Sequence, residues 1–274
     1  MRIVIKLGGD ILSPAKRLEA EAIAHDVRTC TQRGDTVVLV HGGGPQTTSL
    51  QKALGQVPNI VGGRRITDEP ALEAIKMAVG GKPNLEFCSL LHSVGVQAVG
   101  LNGVSGATIK AVKRPPRIVS GCGDDPVDFG CVGDVTGINH EIIELLSGAK
   151  YVPVLACIGA DDSGQLYNIN ADIVANGVAI ALQADRLLLV TSAPGVLRDR
   201  HDPSTRIPKL TIAEGRQAIT DGIVADGMIP KLEESFLALE KGVGQIQIVG
   251  GLKPGDILAS IDSPGQVGTT IIAS

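Results

Sequence analysis

Aromatic residues are nearly missing. The chain has no Trp, two Tyr and three Phe, 2% of its 274 residues. A core must then be built from Val, Ile, Leu and Ala, and unstacked nucleic-acid bases would find almost no ring to lie on. Charge of one sign is also missing. The net charge is −4 and no lysine or arginine stripe stands out. The densest basic stretch, Lys110 to Arg117, reads as one solvated hairpin, so no nucleic-acid partner is expected. The five cysteines, Cys30, Cys88, Cys122, Cys131 and Cys157, are odd in number and widely spaced, with no C-x-x-C pair. That pattern points to neither a zinc site nor a redox dithiol, and fits reduced thiols in a cytoplasmic protein. No apolar run approaches the ~20 residues needed to cross a bilayer, so no membrane partner is expected. The opening residues read as a strand and a turn, too quickly interrupted for a signal peptide.

What is present is an apolar content of 43%, in a chain long enough for one large α/β domain or two lobes sharing a sheet. Apolar β-branched runs alternate with helical spacing. Arg2–Leu7, Thr36–Val40, Val96–Leu101, Val152–Ile158, Arg186–Thr191, Gln245–Val249 and Thr269–Ile272 read as core strands. Helices are expected over Leu18–Cys30, Pro70–Val79, Leu85–Val94, His140–Ser147, Ala171–Leu182, Thr211–Thr220 and Met228–Lys241. Ile109–Arg117 and Cys131–Ile138 look like solvent-facing hairpin strands, Gln165–Ile169 is short and extended, and the polar stretch 198–209 reads as a surface loop. This alternation implies a mostly parallel sheet covered by helices on both faces. A lobe boundary is placed at 184, with 1–184 as an N-terminal lobe and 185–274 as a C-terminal one.

Chemistry concentrates at the ends of strands. Lys6-Leu7-Gly8-Gly9 closes the first strand, where open α/β sheets bind ligands. Glycines let backbone N–H groups reach phosphate oxygens, and a lysine supplies a compact positive charge. His41-Gly42-Gly43-Gly44-Pro45 follows the second strand and precedes a helix, an anion site in the making. His41 itself is expected to pack or hydrogen-bond rather than act as a base. It is neither a Walker A loop nor a dinucleotide fingerprint. Arg64 and Arg65 lie in a loop before a helix that Thr67 or Asp68 caps, and a guanidinium there can grip a carboxylate. Asn168 and Asn170 share one face if their strand persists, and Asp172 either orients lysines or is a first-turn helix acid. Lys231 stands at a helix start, against the dipole, a broken local rule that marks candidate function.

Taken in order, these motifs resemble the acetylglutamate kinases of the amino-acid kinase group. The matching stretches are 6–9, 41–45, 63–68, 133–139, 167–172, 187–196 and 226–231, so the resemblance runs nearly end to end. It implies a three-layer αβα sandwich around a mainly parallel sheet of about eight strands, the carbamate kinase-like fold. It implies ATP-dependent phosphorylation of the γ-carboxylate of N-acetyl-L-glutamate, the second step of arginine biosynthesis, with acyl amino acid on the N-terminal lobe and ATP on the C-terminal one. Lys6 and Lys231 match the lysines that stabilise the transferring phosphoryl, and Asp172 the aspartate that organises them. Gly43, Gly44, Arg65 and Asn168 match substrate-binding positions. Gly8, Gly9, Thr191, Ser192 and Gly195 match positions near phosphate and nucleotide. Mg²⁺ would ride mainly on the ATP phosphates, so no protein metal ligand is named. The chain departs from the family pattern at Ser192, where an aspartate is common, at 101–106, where an acid is lost, and at Asn84-Leu85, where an Asn-Lys pair is common. The alternatives are a kinase for a related acylated dicarboxylate, such as a carrier-linked aminoadipate, and a ligand-sensing homologue without turnover. Because the chain starts at the first strand, without the helix that links dimers in arginine-inhibited members, the resemblance leads to a homodimer insensitive to arginine.

Overall fold

Alternation within the first strand sets the architecture. The computed structural model describes residues 1–119, 123, 125–224 and 227–274. Cys122 and Asp226 lie outside the described residues. In chain order the elements are β1 (Arg2–Leu7), α1 (Arg17–Gln32), β2 (Thr36–His41), α2 (Gly44–Ala53), β3 (Ile60–Val61), β4 (Arg64–Arg65), α3 (Glu69–Ala78), α4 (Lys82–Ser93), β5 (Ala98–Asn102), β6 (Ile109–Lys113) and β7 (Gly133–Ile138). They continue with α5 (Glu141–Gly148), β8 (Val152–Ala156), β9 (Ile158–Ala160), β10 (Leu166–Asn168), α6 (Ala171–Ala181), β11 (Arg186–Val190), β12 (Lys209–Thr211), α7 (Ile212–Thr220), α8 (Met228–Glu240), β13 (Gln245–Val249), α9 (Asp256–Asp262) and β14 (Thr269–Ile272). Ile3, Ile5 and Leu7 of β1 pack on α1 and α9, while Val4 faces the opposite core with α6 and α8. Period-two alternation therefore turns Lys6 toward α6.

The main sheet has eight strands in the order β12-β14-β13-β11-β1-β2-β8-β5. The six from β13 to β5 are mutually parallel, and β14 runs antiparallel to β13. With β1 at its centre, the turns after β1, β2 and β11 open on one edge, the ligand-binding edge of an open α/β sheet. The sheet is continuous across residue 184, since β11 pairs directly with β1. A smaller sheet, β10-β9-β6-β7, and the β3–β4 hairpin flank that edge.

Several expectations need correction. Val152–Ile158 is not one strand: it breaks at Cys157, β8 staying in the main sheet and β9 joining the small one. The 109–117 and 131–138 segments do pair antiparallel, but only one face of 109–117 meets solvent, with Lys110, Val112, Lys113 and Arg117 exposed. Ile109 and Ala111 are buried in the α6 core, and Arg114 is 6% exposed. Arg64 and Arg65 form a short strand rather than a loop. The 198–209 stretch is a surface loop as expected, closed by a bridge between Leu197 and Arg206, and only its end runs into β12. Helix α9 carries no strong periodic signal and was not expected. Capping explains the helix starts: Asp68, not Thr67, accepts from Ala71 N at 2.9 Å, and Thr211 with Glu214 makes a capping box on α7.

Candidate active site

Three charged side chains from distant parts of the sequence meet at the central strand. Lys6 leaves β1, Asp172 is the second residue of α6, and Lys231 sits in the first turn of α8. Asn170 caps α6 by accepting from Asp172 N at 2.8 Å, which fixes the aspartate at the helix start. Lys6 Nζ lies 3.0 Å from Asp172 Oδ1, and Lys231 Nζ donates to Oδ2 at 2.7 Å. The compensation for Lys231 against the helix dipole is thus Asp172. Two ammonium groups share one carboxylate, leaving one net positive charge. Burial alone would raise the Asp172 carboxyl, but Lys6 and Lys231 outweigh it and hold it below the ordinary value. Burial pushes Lys231 down, and Lys6 adds repulsion against the pull of Asp172.

Lys6 also lines a cleft of about 730 Å³, together with Gly9, Gly43, Gly44, Arg65 and Asn168. Close backbone approach explains two of the glycines. A Cβ on Gly9 would lie 3.0 Å from Gly43 Cα and N, and one on Gly43 would lie 2.9 Å from Val79 Cγ2. Gly44 has open space around its Cα and begins α2. Gln46 ties the loops together by donating from Nε2 to Gly9 O at 2.6 Å. Arg65 donates to Thr48 Oγ1 at 2.6 Å, to Gly44 O at 3.2 Å and to Gln51 Oε1. All three acceptors are neutral, so among the described residues no carboxylate balances its charge. Asn168 Nδ2 donates to Thr67 Oγ1 at 3.2 Å. The strand ends at Asn168, and Asn170 turns to its capping role while still lining the cleft.

The remaining positions lie elsewhere. Gly8 donates its N–H to Val190 O at 3.3 Å at the end of β1. Thr191 N donates to Val249 O at 2.9 Å, and Ser192 is exposed. Gly195, with φ +144°, lines a second depression of about 600 Å³ with Arg198, Gly222 and Met228. His41 is fully buried: Asn84 Nδ2 donates to its Nε2 at 2.9 Å and its Nδ1 bonds Gly42 O at 2.9 Å. Burial pushes its pKa down, so it is a neutral structural residue that shapes the glycine loop. Arg114, Gln46 and Thr48 were not singled out from the sequence. Arg114 was hidden among four basic residues that read as a solvated hairpin, and its one signal was Asp134 on the facing strand.

The profile of the amino acid kinase family matches residues 1–250. Among similar proteins, the chain is 51% identical to the acetylglutamate kinase of Anaeromyxobacter dehalogenans, over 99% of this chain and 98% of that one. It is 50% identical to the acetylglutamate kinase of Sorangium cellulosum, over 98% and 94%. In three dimensions it superposes on N-acetylglutamate synthase from Neisseria gonorrhoeae with a TM-score of 0.82 and 24% identity, covering 100% of this chain and 59% of that one. The last likeness carries the fold alone.

Proposed function

The chain belongs to the amino acid kinase family, with the acetylglutamate kinases, and from that premise we propose that it transfers the γ-phosphoryl group of ATP to the γ-carboxylate of N-acetyl-L-glutamate. The products are N-acetyl-L-glutamyl 5-phosphate and ADP, and the step serves arginine biosynthesis. The carrying observation is the convergence of Lys6 and Lys231 on Asp172 beside a glycine-lined cleft. A coupled assay of ADP release tests it: turnover with N-acetylglutamate, and none without an acceptor, is the expected result. The carrier-linked aminoadipate kinase and the non-catalytic sensor are not favoured, given relatives named acetylglutamate kinase at about half identity.

The residues suit the reaction. The acceptor carboxylate is already ionised at pH 7, so no protein base is needed. One of its oxygens forms a bond to the γ-phosphorus, the bond to the bridging oxygen breaks, and the electron pair leaves with ADP. Several negative charges crowd together on that path, and catalysis is positioning and neutralisation. Lys6 and Lys231 supply the neutralising charge, and Asp172 aims both. Gly9, Gly43 and Gly44 bring backbone N–H groups to the cleft where phosphate oxygens would lie, and the Cβ clashes at the first two show that only glycine lets these loops pack so closely. Arg65, unbalanced by any carboxylate among the described residues, takes the substrate α-carboxylate, with Asn168 lining the same cleft. Mg²⁺ would screen the phosphate oxygens and would be held mainly by ATP phosphates and waters, because Asp172 is already engaged by two cations.

The same reading places the acyl amino acid on residues 1–184 and ATP on 185–274, where Gly195 lines the second depression and Thr191 and Ser192 lead into it. We assign the working form to a cytoplasmic homodimer joined at the β5 edge of the sheet. The edge strand is open there, and Leu85 on the adjoining α4 stands 72% exposed. No described helix is long and apolar enough to cross a membrane.

A further inference from the structure

The cleft is cationic in a lopsided way. Lys6, Lys52, Arg64, Arg65 and Arg114 line it, and among the described residues no Asp or Glu does. Arg114 is the least expected of these. It follows β6, its N–H donates to Val132 O at 2.8 Å, and only 6% of the residue is exposed. Its Nε donates to Asp134 Oδ1 at 2.8 Å, and Nη2 lies 2.7 Å from the same oxygen. Asp134 Oδ2 is taken by Arg117 Nη2 at 2.9 Å. Two guanidinium groups thus share one carboxylate, and Glu234, which does not line the cleft, adds only a weaker attraction on Arg114. Arg114 Nη2, although close to Asp134, is buried with no hydrogen-bond partner among the described residues. Phe129 and Val132, both buried, line the cleft with it and form an apolar wall.

From this arrangement, and resting on the kinase reading above, we infer that Arg114 is a specificity residue that selects N-acylated over free amino acids. A free α-ammonium entering this cleft would meet cations with no lining carboxylate to balance it. The amide nitrogen of an N-acyl substrate carries no charge. Its carbonyl oxygen offers an acceptor to the incompletely partnered Arg114 guanidinium, and its methyl group packs on Phe129 and Val132. Low solvent access strengthens both the repulsion and the charge-assisted hydrogen bond.

The test compares kcat/KM for N-acetyl-L-glutamate and for L-glutamate in wild type, Arg114→Met, Arg114→Gln and Arg114→Lys. Asp134 keeps Arg117 as a partner in all three variants, and thermal melting checks each for folding. Calorimetric titration of each substrate without ATP gives a second readout. Arg114→Met is expected to lower kcat/KM for N-acetylglutamate on the order of 10- to 100-fold, with glutamate unchanged or improved. Arg114→Gln, the fallback if the Met variant does not fold, is expected to shift the ratio in the same direction. Arg114→Lys, which keeps the charge, is expected to keep the rejection of glutamate. An unchanged ratio, or equal losses for both substrates, would overturn the inference while leaving the kinase reading intact. Absence of wild-type turnover on N-acetylglutamate would overturn both.

Discussion

The two faces of the main sheet each bury a carboxylate near a helix start, and the two are treated in opposite ways. On the α6 face, Asp172 is flanked by two ammonium groups, which overcome burial and hold it below its ordinary pKa. On the α1 face, Asp26 is 3% exposed and accepts from Gly255 N at 2.9 Å and Ile257 N at 3.0 Å at the start of α9. Burial raises its pKa, and the backbone donors recover only part of that cost. Backbone N–H groups carry partial charge and suffice to hold a helix, whereas at Asp172 two full charges converge on one carboxylate. The difference separates chemistry from architecture on one sheet.

The largest effect should come from the cationic face. Lys231→Ala is expected to lower kcat by on the order of 10²-fold or more, as for loss of a transition-state charge partner, measured in the steady state with N-acetylglutamate. Asp26→Ala should leave kcat per folded molecule unchanged; a comparable loss there would erase the contrast. Next, Arg65→Ala should raise KM for N-acetylglutamate on the order of tenfold with a smaller change in kcat. A pure kcat effect would move Arg65 from substrate holding to transition-state stabilisation.

The architectural face should answer in stability. Asp26→Ala strands two backbone donors and is expected to cost about 1–3 kcal/mol in urea unfolding. Its pH dependence sharpens the comparison. The raised folded pKa of Asp26 means that the native state holds more protons just above the ordinary value of 3.8, so its contribution is full below that value and is lost as pH rises through the folded pKa. Asp172 has the opposite sign: its contribution is full above 3.8 and is lost as pH falls through its lowered pKa. Wild-type minus Asp26→Ala and wild-type minus Asp172→Asn stability differences should therefore slope in opposite directions with pH. Slopes of the same sign would show that the two carboxylates are alike. The smallest effect is Thr211→Ala, about 1 kcal/mol from loss of the α7 cap, with kcat unchanged.

Much of this was legible in the sequence. Buried aliphatic runs marked β1, β2, β11, β13 and β14, because a strand covered on both faces leaves a continuous apolar signature. Lys6 stood out by its place at a strand end before two glycines, His41-Gly42-Gly43-Gly44 by its run of glycines ahead of a helix, and Lys231 by breaking a local rule, and the fold brings Lys6 and Lys231 to one carboxylate. Less legible was anything set by long-range pairing. The break at Cys157 lies within an unbroken apolar run, and only pairing with two different sheets reveals it. Arg114 reads as surface until Asp134 is brought opposite it. Helix α9 is held by Asp26 from 229 residues away, so its own composition says little. Gly195 and Thr191 were placed by resemblance; Gly195 lines a different depression from the Lys6 cleft, and Thr191 lines neither.

Convergence of Lys6 and Lys231 on one transferring group is tested most directly by single-turnover phosphoryl transfer in quenched flow. Enzyme saturated with ATP is mixed with saturating N-acetylglutamate, comparing wild type with Lys6→Ala, Lys231→Ala and the double variant. Each single substitution should slow the transfer step on the order of 10²-fold or more, with the double variant losing less than the product of the two because they serve one charge. Transfer at the wild-type rate in either single variant, or strictly multiplicative losses in the double, would contradict it.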